Sequence, residues 1–150
     1  MPAPRIKARG ALADYGGTVV DSTHLEERRR ATVLVADDDV DILELVTYSL
    51  RRAGHSVVTA RNGEEALRLI EEHRPDAAIL DIMMPGMTGY DVTKAMRDNP
   101  DTARTPVILL SARAGGADMA HGFHLGADDY VRKPFNPAEL GARLLAVLAA

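Results

Sequence analysis

From Thr32 onward, short apolar runs alternate with amphipathic segments of helical period, and this alternation constrains the fold more than any other feature. Thr32–Ala36 is a continuous run of the kind that forms a strand buried on both faces. Val40–Ala53 then sets Ile42, Leu43, Val46 and Leu50 on one helical face, with Gly54 as a stop. Ser56–Ala60 reads as a second strand. Asn62 is placed to cap a helix lined by Ala66, Leu67, Leu69 and Ile70 and ended by Pro75. Ala77–Leu80 is a third strand and Gly89–Arg97 the helix after it. Pro100 and Pro106 bracket the loop before a fourth strand, Val107–Leu110. A weaker helix over Ala117–Leu125, a short strand at Asp129–Val131 and a helix over Pro137–Leu148, with proline in its first turn, complete the pattern. The expectation is an α/β three-layer sandwich: right-handed crossovers building a five-stranded parallel sheet with helices on both faces.

The first 31 residues show no such period. They are punctuated by Pro2, Pro4, Gly10, Gly16 and Gly17, and they carry six of the 18 Lys and Arg but only four of the 22 Asp and Glu. Thr23 and Glu26 have capping-box spacing ahead of Arg28, Arg29 and Arg30, yet the composition favours a flexible tail. The domain is therefore expected over residues 32–150, with residues 1–31 as a tail. The acidic excess belongs to the domain, which argues against nucleic-acid binding. Two Phe, four Tyr and no Trp also leave little material for base stacking. With no cysteine, disulfides, thiolate metal sites and cysteine nucleophiles are excluded. No apolar run approaches the ~20 residues of a membrane helix, and no signal core follows the first charges. A cytoplasmic protein without membrane contact is expected.

In parallel sheets ligands sit beyond the carboxyl ends of the strands, and the polar residues of this chain gather at those ends. Strand one runs into Asp37, Asp38 and Asp39, strand three into Asp81, strand four into Ser111 and strand five into Lys133. Three converging carboxylates repel, by about 4 kcal/mol per pair at ~4 Å and an effective dielectric of ~20, so they require a cation. Carboxylates with a loop carbonyl and water form a hard oxygen site suited to Mg²⁺. Lys133 adds a compact positive charge and Ser111 a hydroxyl donor. Such a set suits phosphoryl transfer to a carboxylate nucleophile.

The runs Val33-Leu34-Val35-Ala36-Asp37-Asp38-Asp39, Leu80-Asp81-Ile82-Met83-Met84-Pro85-Gly86, Leu110-Ser111-Ala112 and Tyr130-Val131-Arg132-Lys133-Pro134-Phe135 resemble the receiver domain of bacterial two-component response regulators. The resemblance covers about Thr32 to Ala150. It implies strand order 2-1-3-4-5 and a signalling switch that is not an enzyme acting on outside substrates. Asp81 would accept a phosphoryl group from a sensor histidine kinase or histidine phosphotransfer protein. Asp37, Asp38 and Asp81, with the backbone carbonyl of Met83, would hold Mg²⁺. Ser111 and Lys133 would bind the phosphoryl oxygens, and Ser111 and Tyr130 would form the switch. The family sets a cis peptide before the proline after the lysine, here Pro134, and docks its kinases on the first helix, here about Val40–Ala53. Met83 and Arg113 fall where residues overhang the phosphoryl group, and their chemistry implies slow self-dephosphorylation.

Two other functions compete. Mg²⁺-dependent aspartyl-phosphate hydrolases carry a second Asp two residues after the nucleophile, where this chain has Met83. A phosphorylation-independent interaction module would have no use for Asp38, Asp81, Ser111 and Lys133 together. Asp128, Asp129 and Arg143 fit the family pattern for a dimer through helix 4, strand 5 and helix 5. Gly116, Met119 and His124 stand where that pattern has charges, which weakens the case for this dimer. Ending at Ala150, the chain is expected to be a single-domain regulator or part of a longer protein with an output domain. His121 and His124 lack a third metal ligand, and His24, His55 and His73 show no partner. Met83, Met84, Met87, Met96 and Met119 read as core or loop packing residues.

Overall fold

The computed structural model describes residues 30–112 and 116–150. The expected tail over residues 1–31, with the capping box at Thr23 and Glu26, the basic triplet at its first two arginines and His24, lies almost wholly outside these residues, as does Arg113.

Five strands, β1 (Thr32–Ala36), β2 (Ser56–Ala60), β3 (Ala77–Asp81), β4 (Val107–Ser111) and β5 (Asp129–Arg132), form one parallel sheet in the order β2-β1-β3-β4-β5. Between them lie the helices α1 (Val40–Arg52), α2 (Gly63–His73), α3 (Gly89–Asp98) and α4 (Gly116–His124), with α5 (Pro137–Ala149) last. The architecture is the expected one. Boundaries move by a residue or two, as terminal turns and strand ends usually do. Three of those shifts matter, because β3, β4 and β5 extend onto Asp81, Ser111 and Arg132.

Alternation along each strand builds two cores. Val33, Val35, Ile79, Ile108, Leu110 and Val131 face Leu43, Val46 and Leu50 of α1 and Leu140 and Leu144 of α5. Leu34, Leu80, Leu109 and Tyr130 face the opposite layer, where Ala66 and Ile70 of α2 and Val92 and Met96 of α3 pack. Every residue of β3 and β4 is buried, as central parallel strands require. Among the described residues no helix is long and apolar enough to cross a membrane.

Helix starts follow local chemistry. The Asp39 carboxylate accepts from the Asp41 amide at 2.9 Å and caps α1, while Asn62 accepts from Glu65 at 2.8 Å and caps α2. Thr88 and Asp91 form a capping box on α3, and Asn136 caps α5 just before Pro137. His55 is not unpartnered. Its buried Nδ1 accepts from the Ala31 amide at 3.0 Å, and burial pushes its pKa down, which keeps the ring in the neutral form that can accept.

Candidate phosphoryl-acceptor site

The site forms at the carboxyl edge of the sheet because β1 and β3 are neighbours in register, with Ala36 opposite Leu80. Each strand therefore delivers its next residue to the same edge. Asp37 is fully buried and Asp81 nearly so, while Asp38 is exposed beside them. One carboxylate oxygen from each of the three lies within 4.8 Å of the others. The Asp37 backbone amide donates to the Ala60 carbonyl, and its Oδ1 accepts from the Asp39 amide at 2.9 Å, which fixes the carboxylate. Asp39 itself turns away to cap α1.

Lys133 enters from the loop after β5. Its Nζ stands 2.9 Å from Asp37 Oδ2 and 3.2 Å from Asp81 Oδ1. The Lys133 amide donates to the Ser111 carbonyl at 2.7 Å, which ties the lysine's backbone to the end of β4, and the Lys133–Pro134 peptide is cis. Burial would lower the Lys133 pKa, but contacts with Asp37 and Asp81 outweigh it and hold the ammonium above its ordinary value. The Asp81 pKa is raised as well, which for a carboxylate disfavours the charged form. Burial first, and then the Asp37 charge, push it from 3.8 up to about 6, although Lys133 opposes them. The charged form of Asp81 is therefore disfavoured, and Lys133 offsets only part of that effect. Asp37 Oδ2 faces the ammonium but accepts no hydrogen bond of ordinary geometry. Three carboxylates, one with such an oxygen, fit a small hard cation.

The remaining expected residues lie on β4, on β5 and in the loop after β3. Ser111 is fully buried at the last position of β4. Met83, two residues beyond Asp81, is 53% exposed. Tyr130 is buried at the position opposite Leu109, with its ring turned inward against the layer under α4. Beside it a cleft of about 370 Å³ is lined by Met119, Tyr130, Lys133, Glu139 and Arg143. The Asp129 and Arg143 side chains pair within the chain at 2.8 Å, and Asp128 accepts from Arg97 and from the Val107 amide. His121 and His124 are exposed, and the His121 ring meets Tyr90 edge-on at 4.7 Å.

Sequence reasoning did not single out Gly89. A methyl added there would lie 2.6 Å from the Asp81 carbonyl oxygen, so only glycine lets α3 start against the end of β3. Its signal was the glycine directly after the Thr88 cap.

Residues 33–145 match the response regulator receiver domain family. The chain belongs to that family. This receiver domain is 48% identical over 116 residues to a probable transcriptional regulator ycf27 of Guillardia theta, an alignment covering 77% of this chain and 44% of that protein. It is 42% identical to the alkaline phosphatase synthesis transcriptional regulatory protein PhoP of Bacillus subtilis, over 77% of this chain and 48% of the relative. The alignments thus reach a little under half the length of these curated relatives. Among solved structures, the chemotaxis protein CheY4 of Vibrio cholerae superposes with a TM-score of 0.75 at 36% identity, covering 79% of this chain and 98% of that one.

Proposed function

We propose that this receiver domain is a phosphorylation-controlled switch in which Asp81 accepts a phosphoryl group from a sensor histidine kinase or histidine phosphotransfer protein. One observation carries the reading: the carboxylates of Asp37, Asp38 and Asp81 crowd within 4.8 Å of one another at the strand ends, against the partly buried Lys133. In the transfer, an Asp81 carboxylate oxygen bonds to phosphorus as the phosphorus–nitrogen bond of the donor histidine breaks. The electron pair leaves with the imidazole, which regains a proton. Asp37, Asp38 and Asp81, with the Met83 carbonyl, are the residues that would hold Mg²⁺. Bound there, the ion neutralises charge on the phosphoryl oxygens. Lys133 pairs with a phosphoryl oxygen and Ser111 donates its hydroxyl to another. Since Tyr130 lies one layer away beside the cleft between α4 and α5, rearrangement of Ser111 and Tyr130 would reshape that surface.

The outer side of α1 supports the partner assignment. Val40, Leu43, Thr47, Tyr48 and Arg52 line a groove of about 640 Å³, with Tyr48 62% exposed. This is the face offered to a kinase or phosphotransfer helix. The folded unit takes residues 32–150, leaves residues 1–31 as a tail, and works in the cytoplasm with its kinase. It contacts neither nucleic acid nor membrane. Output passes through a partner or a further domain.

Counting phosphate separates this reading from its two competitors. Intact-mass analysis with acetyl phosphate and Mg²⁺ is expected to show one labile phosphoryl group per chain, with slow release after the donor is removed. Many phosphates released per chain would instead indicate a hydrolase. No incorporation would indicate a phosphorylation-independent module.

A further inference from the structure

The loop from Ile82 to Thr88 carries Met83, whose carbonyl is the one backbone ligand in the metal site proposed above. Its conformation is held from outside. Gly63, the first residue of α2, is buried, and a methyl added there would overlap the Met87 carbonyl oxygen and come within 2.5 Å of the Met87 Cβ. Gly86, with φ of +74°, sits under the Glu64 carboxylate, where an added methyl would meet Oε2 at 2.6 Å. On the far side the Thr88–Asp91 capping box anchors the loop to α3. Thus the first turn of α2 touches loop backbone directly at Met87 and crowds it at Gly86. Met87 is 24 residues from Gly63 in sequence, yet no flexible side chain at position 63 buffers a change.

We infer that Gly63 is a positioning residue for the metal site: α2 presses its first turn against Met87 and so sets where the loop presents the Met83 carbonyl. The inference rests on the proposed Mg²⁺ site. A residue that only stabilised the fold would change the melting temperature and leave the ion's affinity for the folded protein alone. A positioning residue changes the affinity.

The test is calorimetric titration of Mg²⁺ into the folded wild type, Gly63→Ala and Arg97→Lys, the last being a destabilising control away from the site. Gly63→Ala must displace the Met87 backbone, and loss of such an outer support is expected to weaken Mg²⁺ binding about tenfold. Arg97→Lys should bind as the wild type does while melting lower. Should Gly63→Ala fail to fold, Met87→Gly reaches the same contact by removing the Met87 Cβ and loosening the loop, and it too should bind more weakly. Wild-type affinity in whichever of the two variants folds overturns the inference. An absence of Mg²⁺ binding in the wild type would instead bring down the metal site itself, and the inference with it.

Discussion

Arg97→Ala is expected to cost about 3–5 kcal/mol of unfolding free energy, because it would strip charge-assisted bonds from several partly buried acceptors at once. The guanidinium donates to the Gly126 carbonyl through Nε at 3.0 Å and Nη2 at 2.8 Å, and to the Ala103 and Thr105 carbonyls through Nη1 at 3.2 and 2.8 Å. Its Nη2 also meets Asp128 Oδ2 at 3.1 Å, and the same oxygen accepts from the Val107 amide at 2.8 Å. One side chain therefore joins the end of α3, the loop before β4 and the corner before β5. The side chain is only 21% exposed, so water cannot freely replace these partners. Arg97→Lys keeps the charge but loses the planar fork, and it should recover only part of the loss. Urea unfolding of the three proteins measures both effects. A loss under about 1 kcal/mol in the alanine variant would show that the cluster is held by its neighbours.

Asp81→Asn should abolish phosphoryl incorporation while making the metal-free domain more stable at neutral pH. The folded-state pKa of Asp81 is raised from 3.8 to about 6 by burial and by Asp37. The folded state thus binds this proton more tightly than the unfolded chain. The corresponding stability is present below about pH 4 and is lost as pH rises through about 6. Asparagine is neutral throughout, so its advantage should grow across that window and level off above it. Allowing for partial solvation and the nearby lysine, the gain is on the order of 1–3 kcal/mol at neutral pH. Mg²⁺ should reverse the order, since it stabilises the form that binds it. Thermal melts at several pH values, with chelator and with Mg²⁺, measure these shifts. A variant that melts below the wild type in chelator at neutral pH would contradict the electrostatic account.

The fold was legible because its three central strands are apolar runs and its helices keep one apolar face. The candidate site was legible because a parallel sheet sends its carboxyl ends to one edge, so Asp37, Asp81, Ser111 and Lys133 could be grouped from strand ends alone. The supporting contacts were not. Arg97, near a helix end, has the pattern of a solvated charge, and its acceptors are mostly backbone carbonyls on two loops, which leave no side-chain signature. His55 pairs with a backbone amide, and Gly63 with Met87, 24 residues away, so neither partner has a spacing to read. Asp128, Asp129 and Arg143 fit the family's dimer pattern; within the chain Asp129 pairs with Arg143 and Asp128 serves Arg97 and β4.

The most direct test of the central claim is to locate the acyl phosphate. Protein phosphorylated with acetyl phosphate and Mg²⁺ is reduced with borohydride, which converts a phosphorylated aspartate to homoserine, and the digested peptides are sequenced by mass spectrometry. The account predicts homoserine at position 81, with none when Mg²⁺ is chelated. Homoserine at position 37 or 38, or an unmodified position 81 in protein that carries labile phosphate, would contradict it.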